Sequence, residues 1–183
     1  MRKLIFHMAT SIDGYLEGLN REIDWHIVKD DFKAYINELV QNADILVMGR
    51  ITYQLVADFW SSPAALRTDP ATAKMINDAQ KIVFSKTLKN VEWQNTTLVN
   101  TDPVKEIRRL KEMPGGYLLM GSSDLALSLV KEGLIDEFRI NLNPIILGSG
   151  KTVFTGLDQR VPLKLIKTQV FDSGVVVLTY QPD

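Results

Sequence analysis

The sequence predicts an α/β fold: a mixed, mainly parallel central sheet with antiparallel strands at its C-terminal end. Three observations lead there. Through the first two thirds of the chain, short apolar runs alternate with segments whose apolar residues recur every three or four positions, the pattern of strands linked by crossover helices. After Leu134 the helical period disappears, and three strand-like runs follow with no helix between them. The last two of these runs are joined by Asp172-Ser173-Gly174, a tight turn of the kind that only antiparallel neighbours can use.

The elements follow in order. Residues 4–9 read as a buried strand, and residues 10–28 as a long polar segment rich in turn formers. Asp30 or Asp31 then caps a helix whose Phe32, Tyr35, Ile36, Leu39 and Val40 fall on one face. Residues 44–49 form the next strand, followed by a helical pattern through Tyr53, Val56, Phe59 and Trp60. Asp69-Pro70 pairs a capping carboxylate with a proline in the first helical position, opening a helix that ends near Ala79. Residues 81–85 are a strand. Asp102-Pro103 repeats the device before a helix with Val104, Ile107, Leu110 and Met113 inward, which Pro114-Gly115-Gly116 stops. Residues 117–121 form a strand, and 124–132 a helix closed by Gly133. Residues 135–147, 164–172 and 175–180 are the C-terminal strands.

Composition narrows the function. A chain of 183 residues with no linker, repeat or low-complexity stretch suits one domain over residues 1–183. Its net charge of −1 carries no electrostatic footprint for nucleic acid or a membrane surface. With no cysteine there is no disulfide, no thiol nucleophile and no Cys/His zinc site, and the two histidines, His7 and His26, lie far apart. No metal is expected. No apolar stretch approaches the roughly 20 residues that cross a bilayer, and the N-terminal apolar run stops at His7, too short for a signal peptide. A cytoplasmic protein is expected.

Chemistry gathers where strands hand over to helices. Leu46-Val47-Met48-Gly49 and Leu118-Leu119-Met120-Gly121 end alike, and in open α/β sheets ligands bind beyond the carboxyl ends of the strands. Each glycine either permits a tight turn or lets a ligand approach the backbone. The residues that follow favour a ligand. Arg50 falls in a first helical turn, where the helix dipole already carries positive charge, so a cation there calls for an anion. Thr52 adds a hydroxyl. Ser85-Lys86 supplies a second hydroxyl and cation, and Gly121-Ser122-Ser123 presents amides and hydroxyls at a helix start. The alternative is that Arg50 pairs with a surface carboxylate and that Ser122 or Ser123 is only a cap. There is no Gly-x-Gly-x-x-Gly after the first strand and no P-loop, and Gly148-Ser149-Gly150 precedes no helix.

These residues resemble a known family. Met48-Gly49-Arg50-Ile51-Thr52-Tyr53 is similar to the Gly-Arg-x-Thr motif, followed by Trp or Tyr, of dihydrofolate reductases. Lys81-Ile82-Val83-Phe84-Ser85 resembles their next strand, and Tyr117-Leu118-Leu119-Met120-Gly121-Ser122 the strand that ends in a Gly-Gly pair. The nearer resemblance is to the reductase domain of riboflavin biosynthesis and its stand-alone relatives. It rests on Ser11-Ile12-Asp13-Gly14, on Gly133-Leu134-Ile135-Asp136-Glu137 and on Pro144-Ile145-Ile146-Leu147-Gly148-Ser149-Gly150. The motifs occur in the family's order along nearly the whole chain.

The resemblance implies a dihydrofolate-reductase-like three-layer fold and NADPH bound by Gly49, Arg50, Thr52, Ser85, Lys86, Gly121, Ser122, Ser123 and Asp124. It places Ala9 and Ile12 near the nicotinamide, and makes residues 10–28 the loop that closes over it. It implies an NADPH-dependent reductase of a small heterocyclic or carbonyl substrate, with a phosphoribosylaminouracil of riboflavin biosynthesis as the specific candidate. A homodimer is expected, since family members dimerise and C-terminal antiparallel strands leave an edge to cover. The alternative is a nucleotide-binding or dimerisation protein that keeps the fold without catalysis. The chain departs from the family at Ser122, where the Gly-Gly pair has its second glycine and where a Cβ approaches the pyrophosphate.

Reduction of C=N or C=O also consumes a proton. Dihydrofolate reductases carry one carboxylate for this on the first helix. Here Asp31 is nearest the place, though it doubles as a helix cap, while Glu38 points away from the apolar face. Asp13 either contacts substrate or makes the Asp-Gly turn. His7 reads as a satisfied core histidine, and Trp25, His26, Phe59 and Trp60 as mouth or core residues. The catalytic residue is unassigned.

Overall fold

The computed structural model describes the backbone of residues 1–183 and every side chain except that of Asp30. Its elements are β1 (Lys3–Thr10), β2 (Tyr15–Glu17), α1 (Asp30–Gln41), β3 (Ala43–Gly49), α2 (Arg50–Trp60), α3 (Pro63–Thr68), α4 (Pro70–Asp78), β4 (Gln80–Phe84), β5 (Thr96–Val99), α5 (Pro103–Glu112), β6 (Tyr117–Met120), α6 (Ser123–Lys131), β7 (Glu137–Leu142), β8 (Lys151–Thr152), β9 (Leu163–Val170) and β10 (Val176–Pro182). Eight strands form one sheet in the order β5-β4-β3-β6-β1-β7-β10-β9, and β2 and β8 pair separately. The first six of the eight run parallel. β10 is antiparallel to β7 and to β9, as the turn signal at residues 172–174 predicts. Gly174 closes that turn at φ +85, donating its N–H to the Phe171 carbonyl.

The alternation along β1 sorts the layers. Leu4 and Phe6 enter a core with Ile107 and Leu110 of α5 and with Leu129 of α6. Ile5, on the other face, packs against Leu39 of α1. Met48 and Val83 meet Tyr53 and Ala57 of α2 on that same side. The sheet is therefore sandwiched between α1, α2 and α4 on one face and α5 and α6 on the other, a three-layer α/β arrangement.

Two helix starts follow the sequence signals. Asp69 Oδ1 accepts from Thr72 N at 3.4 Å and Asp102 Oδ1 from Val104 N at 2.9 Å, each ahead of a first-turn proline. The start of α1 does not. Lys29 occupies the N-cap with no side-chain bond, because the Asp31 carboxylate instead takes the backbone N–H groups of Phe32 and Asp172. Asp30, the other candidate cap, lies outside the described side chains.

Other expectations are corrected too. The strand expected over 135–147 ends at Leu142, because Asn143 begins a tight turn into Pro144, which has no N–H for a ladder. Met113 is exposed rather than inward, since α5 has ended one residue earlier. The six-residue α3 and the short strands β2, β5 and β8 have no sequence expectation; each is too brief to show a period. Among the described residues, no helix is long and apolar enough to cross a membrane.

Candidate functional site

Gly49 ends β3, and Gly121 immediately follows β6, its neighbour in the sheet. The chain leaves β3 outward to β4 and β5, then returns to insert β6 between β3 and β1. That reversal brings the starts of α2 and α6 side by side beyond the strand ends, where open sheets form a ligand crevice. No side chain caps α2, whose N-cap is Gly49, and its first turn holds no acidic residue. The N-cap of α6 is Ser122, again without a side-chain cap bond. Two helix N-termini thus present uncapped first-turn N–H groups and two positive dipole ends to one crevice.

Two cations and several hydroxyls lie around it. Arg50 is exposed and donates to Gln54 Oε1 at 2.9 Å, so it does not pair with a surface carboxylate. Thr52 Oγ1 donates to the Gly121 carbonyl at 3.3 Å and ties the two strand ends together. Ser85 Oγ accepts from the backbone of Thr87 and Leu88, which fixes a turn with Lys86 exposed on it. Ser123 is half-buried in the first turn of α6. Asp124 is engaged elsewhere: its carboxylate takes Lys151 Nζ at 2.6 Å, which neutralises a charge that would repel phosphate.

Ser122 sits differently from the crowding its Cβ suggests. Its side chain is buried, and a Cβ built on Gly49 would lie 2.8 Å from Ser122 Oγ. The hydroxyl therefore points into the β3–α6 junction. A Cβ on Gly121 would meet nothing closer than the His7 carbonyl at 3.8 Å, so the space over Gly121 stays open. This arrangement fits a bound pyrophosphate: one glycine makes room for Ser122, and the other leaves the crevice clear.

At the end of β1, Ala9 is half-buried and Ile12 exposed. Residues 10–28 are held by a clasp. Asp13 takes the Ser11 hydroxyl at 2.7 Å and the N–H groups of Leu147 and Gly148, while Ile12 N donates to Ile145 O at 2.8 Å. The Ser11 hydroxyl contributes most, with the two amides, to holding the Asp13 carboxyl down to about 2. Gly150 lies at φ +144, and a Cβ there would collide with the Glu17 carbonyl, so Gly150 is needed for the β2–β8 pairing.

Below Thr52 and Gly121, on the α1 side of the sheet, lies a pocket of about 210 Å³. His7, Met48, Val56, Trp60, Trp93 and Leu119 are part of its wall, and the described residues lining it include no carboxylate. His7 Nε2 is hydrogen-bonded to the Asn141 amide at 2.8 Å, and burial, aided by the Arg139 charge, pushes its pKa down to about 4. Asp31 does not share this pocket. It lines a separate cleft of about 600 Å³ along α1 and β9, with Tyr35, Glu38, Tyr117 and Arg139. Of the aromatic candidates, Trp60 lines the apolar pocket, Trp25 packs edge-on against His26, and Phe59 is exposed. Asn141 and the Glu137–Arg139 pair escape sequence reasoning. Their signal is the polar residue at every second position of β7, which puts all three on one face.

Residues 2–177 match the family described as the RibD C-terminal domain. The uncharacterized protein YyaP of Bacillus subtilis is 33% identical over 186 residues, covering 98% of this chain and 94% of its own length. A crystal structure of a protein assigned to riboflavin biosynthesis in Shewanella sp. PV-4 superposes with a TM-score of 0.79 at 26% identity, covering 100% of this chain and 99% of that one. A dihydrofolate reductase from Enterococcus faecalis, complexed with NADP(H), superposes with a TM-score of 0.64 at 17% identity, covering 99% and 96%. At that identity the likeness is one of fold.

Proposed function

Since the chain belongs to the RibD C-terminal domain family, we propose that it is an NADPH-dependent reductase of a small heterocyclic or carbonyl substrate, acting as a homodimer. The observation that carries this is the pair of uncapped helix starts at Gly49 and Ser122, with Arg50 beside the first and Lys86 beyond the end of the neighbouring β4. Such a site holds a pyrophosphate by backbone N–H groups and a further phosphate by cations and hydroxyls. Gly49, Arg50, Thr52, Ser85, Lys86 and Gly121 to Ser123 would hold NADPH, with Asp124 contributing its backbone alone. Bound there, NADPH would supply a hydride at the end of β1, beside Ala9 and Ile12. The chain orients the substrate and admits the proton. The reduction also consumes a proton, which comes from a side chain or from water.

Titration of tryptophan fluorescence with NADPH and NADH tests the reading. NADPH binds the more tightly, and Arg50→Ala weakens it about tenfold to a hundredfold, the range for losing a hydrogen bond to a charged group. No binding at millimolar NADPH overturns it. The absent acid favours a second reading, a nucleotide-binding protein without catalysis; NADPH oxidation with any pterin, pyrimidine, quinone or aldehyde rules that out.

A further inference from the structure

We infer that the apolar pocket beneath Thr52 and Gly121 admits an uncharged compound of one or two fused rings bearing a C=O or C=N bond, and excludes a phosphoribosyl-bearing pyrimidine. The inference rests on the reductase reading for its chemistry, but its evidence is the pocket itself. Thr52 and Gly121 belong both to the pocket wall and to the crevice at the helix starts, so a ligand here adjoins any molecule held there.

Size is the first constraint. The pocket measures about 210 Å³, below the roughly 300–1,000 Å³ that holds a drug-sized ligand. A bicyclic ring fits such a volume; a pyrimidine with a ribose and a phosphate is drug-sized. Charge is the second. Among the described residues of the wall there is no Lys, Arg, Asp or Glu. Burying a phosphate dianion without a partner is prohibitive, and the two buried or half-buried cations nearest the wall are already committed. Lys81 Nζ donates to the carbonyls of Ile76, Asn77 and Ala79, and Arg139 pairs with Glu137 at 2.6 Å, while Arg50 stands at the crevice and not in the pocket wall.

The third constraint is the polar content of the wall. His7 is its one ionisable side chain, and with its Nε2 tied to Asn141 and its pKa near 4 it is a neutral imidazole at pH 7. A neutral imidazole can share a hydrogen bond with a ligand heteroatom but cannot balance a phosphate. Trp93 donates its indole N–H to Asn77 Oδ1, so it offers the pocket ring surface rather than a donor. With Trp60 across the same wall, planar ligands are favoured over branched or hydrated ones.

The test is equilibrium binding to the full chain without cofactor, read by quenching of tryptophan emission, with three probes: naphthoquinone, naphthoquinone sulfonate and uridine monophosphate. Naphthoquinone is expected to bind with a dissociation constant below about 1 mM, and the sulfonate and the nucleotide at least about tenfold more weakly. Val56→Phe, which adds a ring to the wall, should weaken naphthoquinone about tenfold and leave NADPH binding in the crevice unchanged. Calorimetry of the three probes on the wild-type chain makes the same comparison without a variant. Equal binding of the sulfonate, uridine monophosphate binding that Val56→Phe removes, or no naphthoquinone binding by a chain that titrates normally with NADPH, each overturns the inference. Naphthoquinone binding by a chain that does not bind NADPH supports the pocket assignment and overturns the reductase reading instead.

Discussion

Gly49 and Ser122 explain each other. Ser122 Oγ occupies the place where a Gly49 Cβ would go, so neither residue can be read alone. Gly49→Ala should destabilise the fold by about 1–3 kcal/mol through overpacking, and combining it with Ser122→Ala should recover part of that loss. Urea unfolding of the two single variants and the double variant measures the coupling; strict additivity would show that the two side chains do not compete. His7 makes a different prediction. Its folded-state pKa of about 4 lies below the 6.5 of an unperturbed histidine, so between these values the unfolded chain binds more protons. Stability from this group is complete above pH 6.5 and falls as pH drops towards 4, by at most about 1.4 kcal/mol per unit. His7→Phe should flatten that part of the urea-midpoint profile, and an unchanged slope would contradict it.

At the scale of the element, α4 and β4 are joined through Lys81. It is the first inward residue of β4, buried at 1% exposure, and its Nζ closes the C-terminus of α4 by donating to three carbonyls, the shortest at 2.7 Å. It also lies 4.7 Å from the Trp93 ring centre. A lysine in an apolar strand is an unlooked-for feature until the end of the preceding helix supplies its partners. Lys81→Met keeps the length and orphans those carbonyls, so it should cost about 1–3 kcal/mol in chemical denaturation. A neutral result would mean that water reaches the carbonyls. The Asp13 clasp is the corresponding device for residues 10–28. The N–H groups of Leu147 and Gly148 bind the carboxylate form, so the clasp is intact above the ordinary carboxylate range and loosens only as pH falls through about 2.

For the whole molecule, the sheet ends in β9, whose outer edge carries no strand. Leu163, Leu165, Ile166 and Val170 of that strand are all exposed. A long edge with apolar side chains on both faces invites pairing with another chain. Light scattering should therefore give twice the 20.7 kDa chain mass. Leu165→Lys together with Ile166→Lys should return it to the monomer with the fold retained by circular dichroism. A wild-type monomer would sink the dimer proposal and leave the crevice, at the far side of β1, untouched.

Much of this was legible in the chain because it is local. The periods of α1 and α5, the Asp-Pro starts of α4 and α5, Gly133 and the turn at Gly174 are each set by a few neighbouring residues whose sterics and hydrogen bonds act at short range. The repeated Met-Gly strand ends, with Arg50 and Ser85-Lys86 after them, likewise mark out the crevice in one dimension. What the sequence alone determined is thus a mainly parallel sheet with glycines, hydroxyls and cations at its strand ends. Only the tertiary structure decided which of those ends are neighbours, that Asp31 belongs to the turn at Asp172 and to a different cleft, that Ser122 is buried against Gly49, and that His7 is a neutral wall of an apolar pocket. Each of these depends on groups brought together from distant parts of the chain, and on the desolvation that follows, which no local pattern encodes.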